Sequence, residues 1–143
     1  MTGYLLDVNV LLALSLDNHM HHLAAAEWFD DADFDWATTP VTEAGYLRLL
    51  TNSKMVGFSI SVSQAVNGLR ELREEAGFRF LPDDTSLAEP VIDLGPLVGT
   101  TQITDFHLIN VAARHGFLLA TFDGALLRSL SDADRGHVFV IED

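Results

Sequence analysis

Cysteine is absent from the 143 residues, and Lys54 is the single lysine. Without cysteine there is no disulfide, no thiolate zinc site and no Cys nucleophile. Cations of any kind are scarce: 8 Lys and Arg stand against 21 Asp and Glu, a formal charge of −13. Such a chain does not hold bare nucleic acid or anionic lipid by counterion release, which needs a basic face. Any nucleic-acid function must work through something other than the net field, and a bound cation is the natural candidate. Long apolar runs are missing too. The longest, at 10–14, is far short of a membrane span. No Lys or Arg precedes Arg48, so no secretory signal is recognisable, and a soluble cytoplasmic protein is expected. The four prolines do not gather into a linker, and no repeat or low-complexity stretch interrupts the chain.

What is present points to a folded α/β protein. A hydrophobic fraction of 48% with nine Phe marks a globule, not an acidic disordered tail. The length suits one domain over residues 1–143. Short apolar runs at 4–7, 35–38, 78–81, 117–121 and 138–141 read as strands. Helical spacing is expected at 8–16, 21–29, 40–50, 61–75, 104–115 and 124–130, with a short helix from Asp84 and Thr85 to Val91. Pro40 fits a first turn capped by Thr39 or Thr42, Ser61 and Gln64 form a capping-box pattern, and Gly116 suits a helix stop. Strands alternating with helices imply a mainly parallel sheet covered on both faces.

Four acids stand out from the rest. In an open parallel sheet, ligands bind beyond the carboxyl ends of the strands. Asp7 closes the first strand, Asp123 lies two residues past the run ending at Thr121, and Asp105 and Glu43 occupy first turns of helices. The remaining acids cluster in polar stretches such as Asp30-Asp31-Asp33-Asp35 and Glu71-Glu74-Glu75, which read as solvated faces. The selected four sit in apolar contexts, where a carboxylate is costly without a partner. No basic residue adjoins them in sequence. If they converge, a hard divalent cation, Mg²⁺ or Mn²⁺, resolves their repulsion.

These segments together resemble the PIN-domain ribonucleases, specifically VapC-type toxins of type II toxin–antitoxin modules, and the resemblance spans essentially the whole chain. YLLDVNVLLAL carries Asp7 and Asn9, TPVTEAGYLRLL carries Glu43 and Arg48, QITDFHLINVAARHG carries Asp105, and LLATFDGAL carries Thr121 and Asp123. HMHHLAAAEWF and FRFLPDD are similar to two further segments of one VapC subgroup. The resemblance implies a PIN-like three-layer α/β/α sandwich and divalent-metal-dependent hydrolysis of RNA phosphodiesters. Asp7, Asp105 and Asp123 would hold one or two Mg²⁺ (or Mn²⁺), and Glu43 would be a further ligand or orient the attacking water. Asn9 and Thr121 would aim the carboxylates. It also implies a cognate antitoxin protein and a homodimer. An inhibitor's Arg or Lys would enter the acidic pocket, with the helices at 21–29 and 42–50 as an apolar groove.

Other readings compete. A non-catalytic PIN-fold module that binds a protein or RNA would share the fold. A phosphoacceptor receiver would want paired acids after the first strand and a late lysine, and a haloacid-dehalogenase-like phosphatase would want an acid at position 9. Here Asn9 stands at that position. His19, His21 and His22 invite a zinc site, but neighbouring helical positions diverge and no Cys supports it. His107 is expected to pack or face solvent, Trp28 and Trp36 to join the core or an interface, and Arg48 to reach phosphate or solvent.

Overall fold

The computed structural model describes residues 2–31 and 33–143. Five strands, β1 (Gly3–Leu6), β2 (Asp35–Thr38), β3 (Phe78–Phe80), β4 (Phe117–Thr121) and β5 (Val138–Val140), form one sheet in the order β3-β2-β1-β4-β5. Every pairing is parallel, with Leu5 opposite Ala37 and Leu119, and Thr38 opposite Phe80. The helices are α1 (Val8–Ser15), α2 (His22–Asp30), α3 (Pro40–Leu50), α4 (Ser53–Val56), α5 (Val62–Arg73), α6 (Ile103–His115) and α7 (Gly124–Ser129). Short 3-10 turns occupy Thr100–Gln102 and Arg135–His137.

The strand alternation divides the core in two. Leu5, Ala37, Leu119 and Val138 face one side and pack on Phe106, Ile109 and Ala112 of α6 and Leu126 of α7. Leu6, Trp36 and Ala120 face the other and pack on Val10 and Leu11 of α1, Tyr46 of α3 and Leu69 of α5. Successive side chains of a strand point to opposite faces, so both faces of a buried parallel sheet must be apolar. The chain first winds outward through β1, β2 and β3, then crosses to β4 and β5. Right-handed crossovers therefore put α1 to α5 on one face and α6 and α7 on the other. The result is the three-layer α/β/α sandwich.

Local chemistry sets the element ends. Thr39 caps α3 and exchanges hydrogen bonds with Thr42, while Ser61 and Gln64 do the same for α5. Gly116 takes φ +73° at the end of α6, a left-handed conformation that costs glycine little. The expected helix at 84–91 does not form. Asp84 is bound to His115 and Arg114 instead of capping, and Ser86 Oγ accepts from Ala88 N in a tight turn. Pro90 disfavours helical geometry at Glu89, and Val91 N donates to Asn110 Oδ1. Conversely, the short α4 forms where no helix is expected, with Asn52 capping it through Lys54 N.

Gly3 lets β1 and β4 approach over an aromatic ring. A Cβ there would lie 2.6 Å from Phe117 Cε2. Overpacking of this kind costs about 1–3 kcal/mol. Gly3→Ala should lower the thermal midpoint by several degrees, and adding Phe117→Leu should restore most of the loss. A double variant no more stable than Gly3→Ala alone would count against this contact.

Candidate active site

The sheet order reverses between β1 and β4, and Asp7 and Asp123 stand just past the carboxyl ends of those two strands. In open α/β sheets this crevice is where ligands bind. Asp7 follows β1 and is the N-cap of α1. Its Oδ1 accepts from Val8 N at 2.8 Å, and its backbone N–H donates to Ala120 O, which ties it to β4. Oδ2 accepts from Thr121 Oγ1 at 3.0 Å, and the same hydroxyl accepts from Asp123 N at 3.1 Å. One buried threonine thus fixes two acids from different strands. Asp123 in turn caps α7, its Oδ1 accepting from Leu126 N at 3.1 Å.

Asp105 comes from the other layer, in the first turn of α6. Its carboxyl is pushed up to about 6, first by burial and then by the charges of Asp7 and Asp123. Burial also raises Asp7, which the Thr121 hydroxyl and the Val8 N–H oppose and the Asp123 charge reinforces. The three aspartates therefore form one electrostatic group. Among the described residues, no Lys, Arg or His stands within ion-pairing distance of any of them.

Glu43 behaves differently. Its Oε2 accepts from Thr38 Oγ1 at 2.6 Å and lies 3.4 Å from Arg73 Nη1. The expectation of four acids without cationic partners is therefore corrected for Glu43. Arg73 ends α5, thirty positions away in the chain, so no local pattern announces the pair.

The Asn9 amide is exposed and makes no hydrogen bond to the four acids among the described residues. It lines a cavity of about 360 Å³ with His19, Met20, His21, Thr121, Phe122 and Asp123. The histidines here are tied to other groups. His19 Nδ1 accepts from His21 N, the His21 ring stacks on Phe122 and pairs with Asp143, and His22 Nδ1 lies 2.6 Å from Ala13 O. His107 pairs with Asp83 at 2.7 Å, away from the acids. Trp28 joins an aromatic cluster with Tyr4, Phe34 and Phe139, and Trp36 is buried with its Nε1 donating to Ala76 O. Arg48 is exposed on α3.

The PIN domain family model matches residues 4–130. The chain belongs to the PIN-domain family, in its VapC branch. It is 46% identical over 123 residues to Ribonuclease VapC38 of Mycobacterium tuberculosis, covering 85% of this chain and 86% of that protein. Ribonuclease VapC39 of the same organism is 44% identical over 129 residues, covering 89% and 93%. Among solved structures, that of PAE2754 from Pyrobaculum aerophilum has a TM-score of 0.59 at 21% identity, covering 96% of this chain and 83% of that one. The crystal structure of Mycobacterium tuberculosis VapC20, a Sarcin-Ricin loop cleaving toxin, has a TM-score of 0.61 at 16% identity, covering 88% and 94%. Both share the fold.

The donor set of this PIN domain suits a hard cation. Its three aspartates offer only oxygen ligands, and none has a cationic partner among the described residues. Among the described residues no three acid or imidazole side chains close on one ion by themselves. The fit lies in the donor chemistry alone: oxygen ligands suit Mg²⁺, which keeps several waters and is typically held through one or two carboxylates plus substrate oxygens.

The raised Asp105 value has a consequence for stability. A carboxyl whose value in the fold lies above its unfolded value favours the fold below that unfolded value, and the contribution is lost as pH rises through about 6. The metal-free protein should therefore lose thermal stability between about pH 4 and pH 6 through this residue. Asp105→Asn should flatten that fall and raise the midpoint at pH 7 by a few degrees, since about 1 kcal/mol moves it by roughly 3–6 °C at this size. A lower midpoint for Asp105→Asn at pH 7 would contradict the reading.

Proposed function

We propose that this VapC-type PIN domain is a divalent-cation-dependent endoribonuclease, the toxin of a type II toxin–antitoxin module acting in the cytoplasm. The observation that carries this reading is the group of three aspartates at the β1–β4 crevice with no cationic partner among the described residues. The names of VapC38 and VapC39, ribonucleases 46% and 44% identical to this chain, support it. The 143 residues act as one catalytic unit.

Asp7, Asp105 and Asp123 would hold Mg²⁺ (or Mn²⁺), directly or through waters. When bound, the cation supplies Lewis acidity and charge neutralisation at the phosphate. The chain's own groups do the positioning. Val8 N–H and Thr121 O–H fix both oxygens of Asp7, and Leu126 N–H fixes Asp123 Oδ1, so the carboxylates lose little freedom on binding. Glu43, with Oε2 taken by Thr38 and Arg73, turns its other oxygen to the attacking water. Water adds to phosphorus in line and gives up a proton to the Glu43 carboxylate as the P–O3′ bond breaks; the 3′ oxygen takes a proton from solvent, which leaves a 5′ phosphate and a 3′ hydroxyl. Asn9 stands in the cavity wall beside Asp123.

A cognate antitoxin and a second copy of the chain are the proposed partners. No helix among the described residues is long and apolar enough to cross a membrane. Of the two helices expected to form a partner groove, α3 spends its apolar side on the core, with Tyr46 and Leu50 buried. The segment at α2 keeps Met20 and Leu23 exposed beside a cavity of about 700 Å³. A basic, apolar antitoxin segment suits this acidic surface.

Asp7→Asn should abolish Mg²⁺-dependent RNA cleavage while leaving the circular dichroism spectrum and oligomeric state unchanged, and a chelator should abolish wild-type cleavage. RNA binding without cleavage by the wild-type protein in Mg²⁺ would favour the non-catalytic module instead.

A further inference from the structure

Arg73 is one of only eight basic residues in a chain of charge −13, and it is spent on an acid at the sheet's carboxyl edge. Its guanidinium carbon lies 4.7 Å from the centroid of the Phe78 ring and 5.1 Å from that of Phe80. Phe78 and Phe80 are two apart on β3, so both project from one face of the strand. The rings attract the cation through their quadrupoles and limit where it can point. From that platform Nη1 reaches Glu43 Oε2, which also accepts the short bond from the fully buried Thr38 Oγ1.

The geometry assigns Arg73 as a positioning residue that aims Glu43. Oε2 is held from two sides, by Thr38 from the end of β2 and by Arg73 from the end of α5, and this leaves Oε1 with a defined direction. The assignment rests on the hydrolase reading above and deepens it: Glu43 is separated from the three aspartates by its own counter-charge and acts as an oriented acceptor, not as a fourth member of their group. It also gives a function to β3, an edge strand with half-exposed Phe80 that adds little to the core. A lone surface ion pair is worth little. This one is buried on the acid's side, with the Glu43 side chain 14% exposed, and is aimed by two rings and one hydroxyl.

The rival role is a direct contact of Arg73 with RNA phosphate, and the two separate in kinetics. Wild type, Arg73→Met, Arg73→Lys, Glu43→Gln and the Glu43→Gln/Arg73→Met double variant would be assayed on a mixed-sequence fluorophore–quencher RNA in Mg²⁺. A misaimed group costs on the order of ten- to a hundredfold in rate. Arg73→Met should lower kcat by about that factor with KM unchanged, and Arg73→Lys should recover part of it. In the Glu43→Gln background Arg73→Met should have no further effect. A raised KM at unchanged kcat, an effect that persists in the Glu43→Gln background, or full activity of Arg73→Met overturns the assignment. Absence of cleavage by the wild-type protein would instead remove the hydrolase reading and the assignment with it.

Discussion

Repulsion among Asp7, Asp105 and Asp123 is the constraint around which the carboxyl edge of this sheet is organised. Three carboxylates are brought into one partly buried region from the ends of β1 and β4 and the start of α6. In an isolated fold that is a cost, since burial and like charge both oppose ionisation of Asp7 and Asp105. The protein meets part of it with hydrogen bonds: Thr121 to Asp7, Val8 to Asp7, Leu126 to Asp123. The rest has no cationic partner among the described residues. Strain of this kind, stored where the sheet order reverses, is typical of a working site.

The surrounding structure follows from holding that group in place. Asp7 and Asp123 are helix N-caps as well as candidate ligands, so the bonds that begin α1 and α7 also lock the carboxylates. Thr121 is buried between them and bridges two parallel strands. On the α3 side the same edge carries Glu43, but with its charge met by Arg73 and Thr38. The edge therefore has two electrostatic regions: a hungry one at β1–β4 and a satisfied one at β2–β3.

Much of this was readable in the residues because the signals are local. Thr39 with Thr42, Ser61 with Gln64 and Gly116 each mark an element end within four positions of chain. The strand ends follow from short apolar runs, and with a parallel sheet assumed, Asp7 and Asp123 fall at the ligand-binding edge. What the residues did not announce depends on pairing across the sheet. Arg73 meets Glu43 only because β3 lies beside β2 and presents Phe78 and Phe80 on one face. The 84–91 segment reads as a helix until Asp84 is taken by His115 and Arg114. Likewise, the histidine run looks like a metal motif until its rings are seen bound to backbone and acids. The net charge of −13 argues against binding of RNA by a basic face, and three of the acids behind that charge converge at the β1–β4 crevice without a cationic partner among the described residues.

Calorimetric titration of Mg²⁺ into the metal-free protein, in two buffers of different ionisation enthalpy, tests the central claim most directly. If the three aspartates take the cation as one group, binding must expel the proton that burial and repulsion hold on Asp105. Near pH 6 about half a proton should be released per site, falling away by pH 8 and lost in Asp105→Asn. Mg²⁺ binding with no proton release at pH 6, or no saturable binding at either pH, would contradict it.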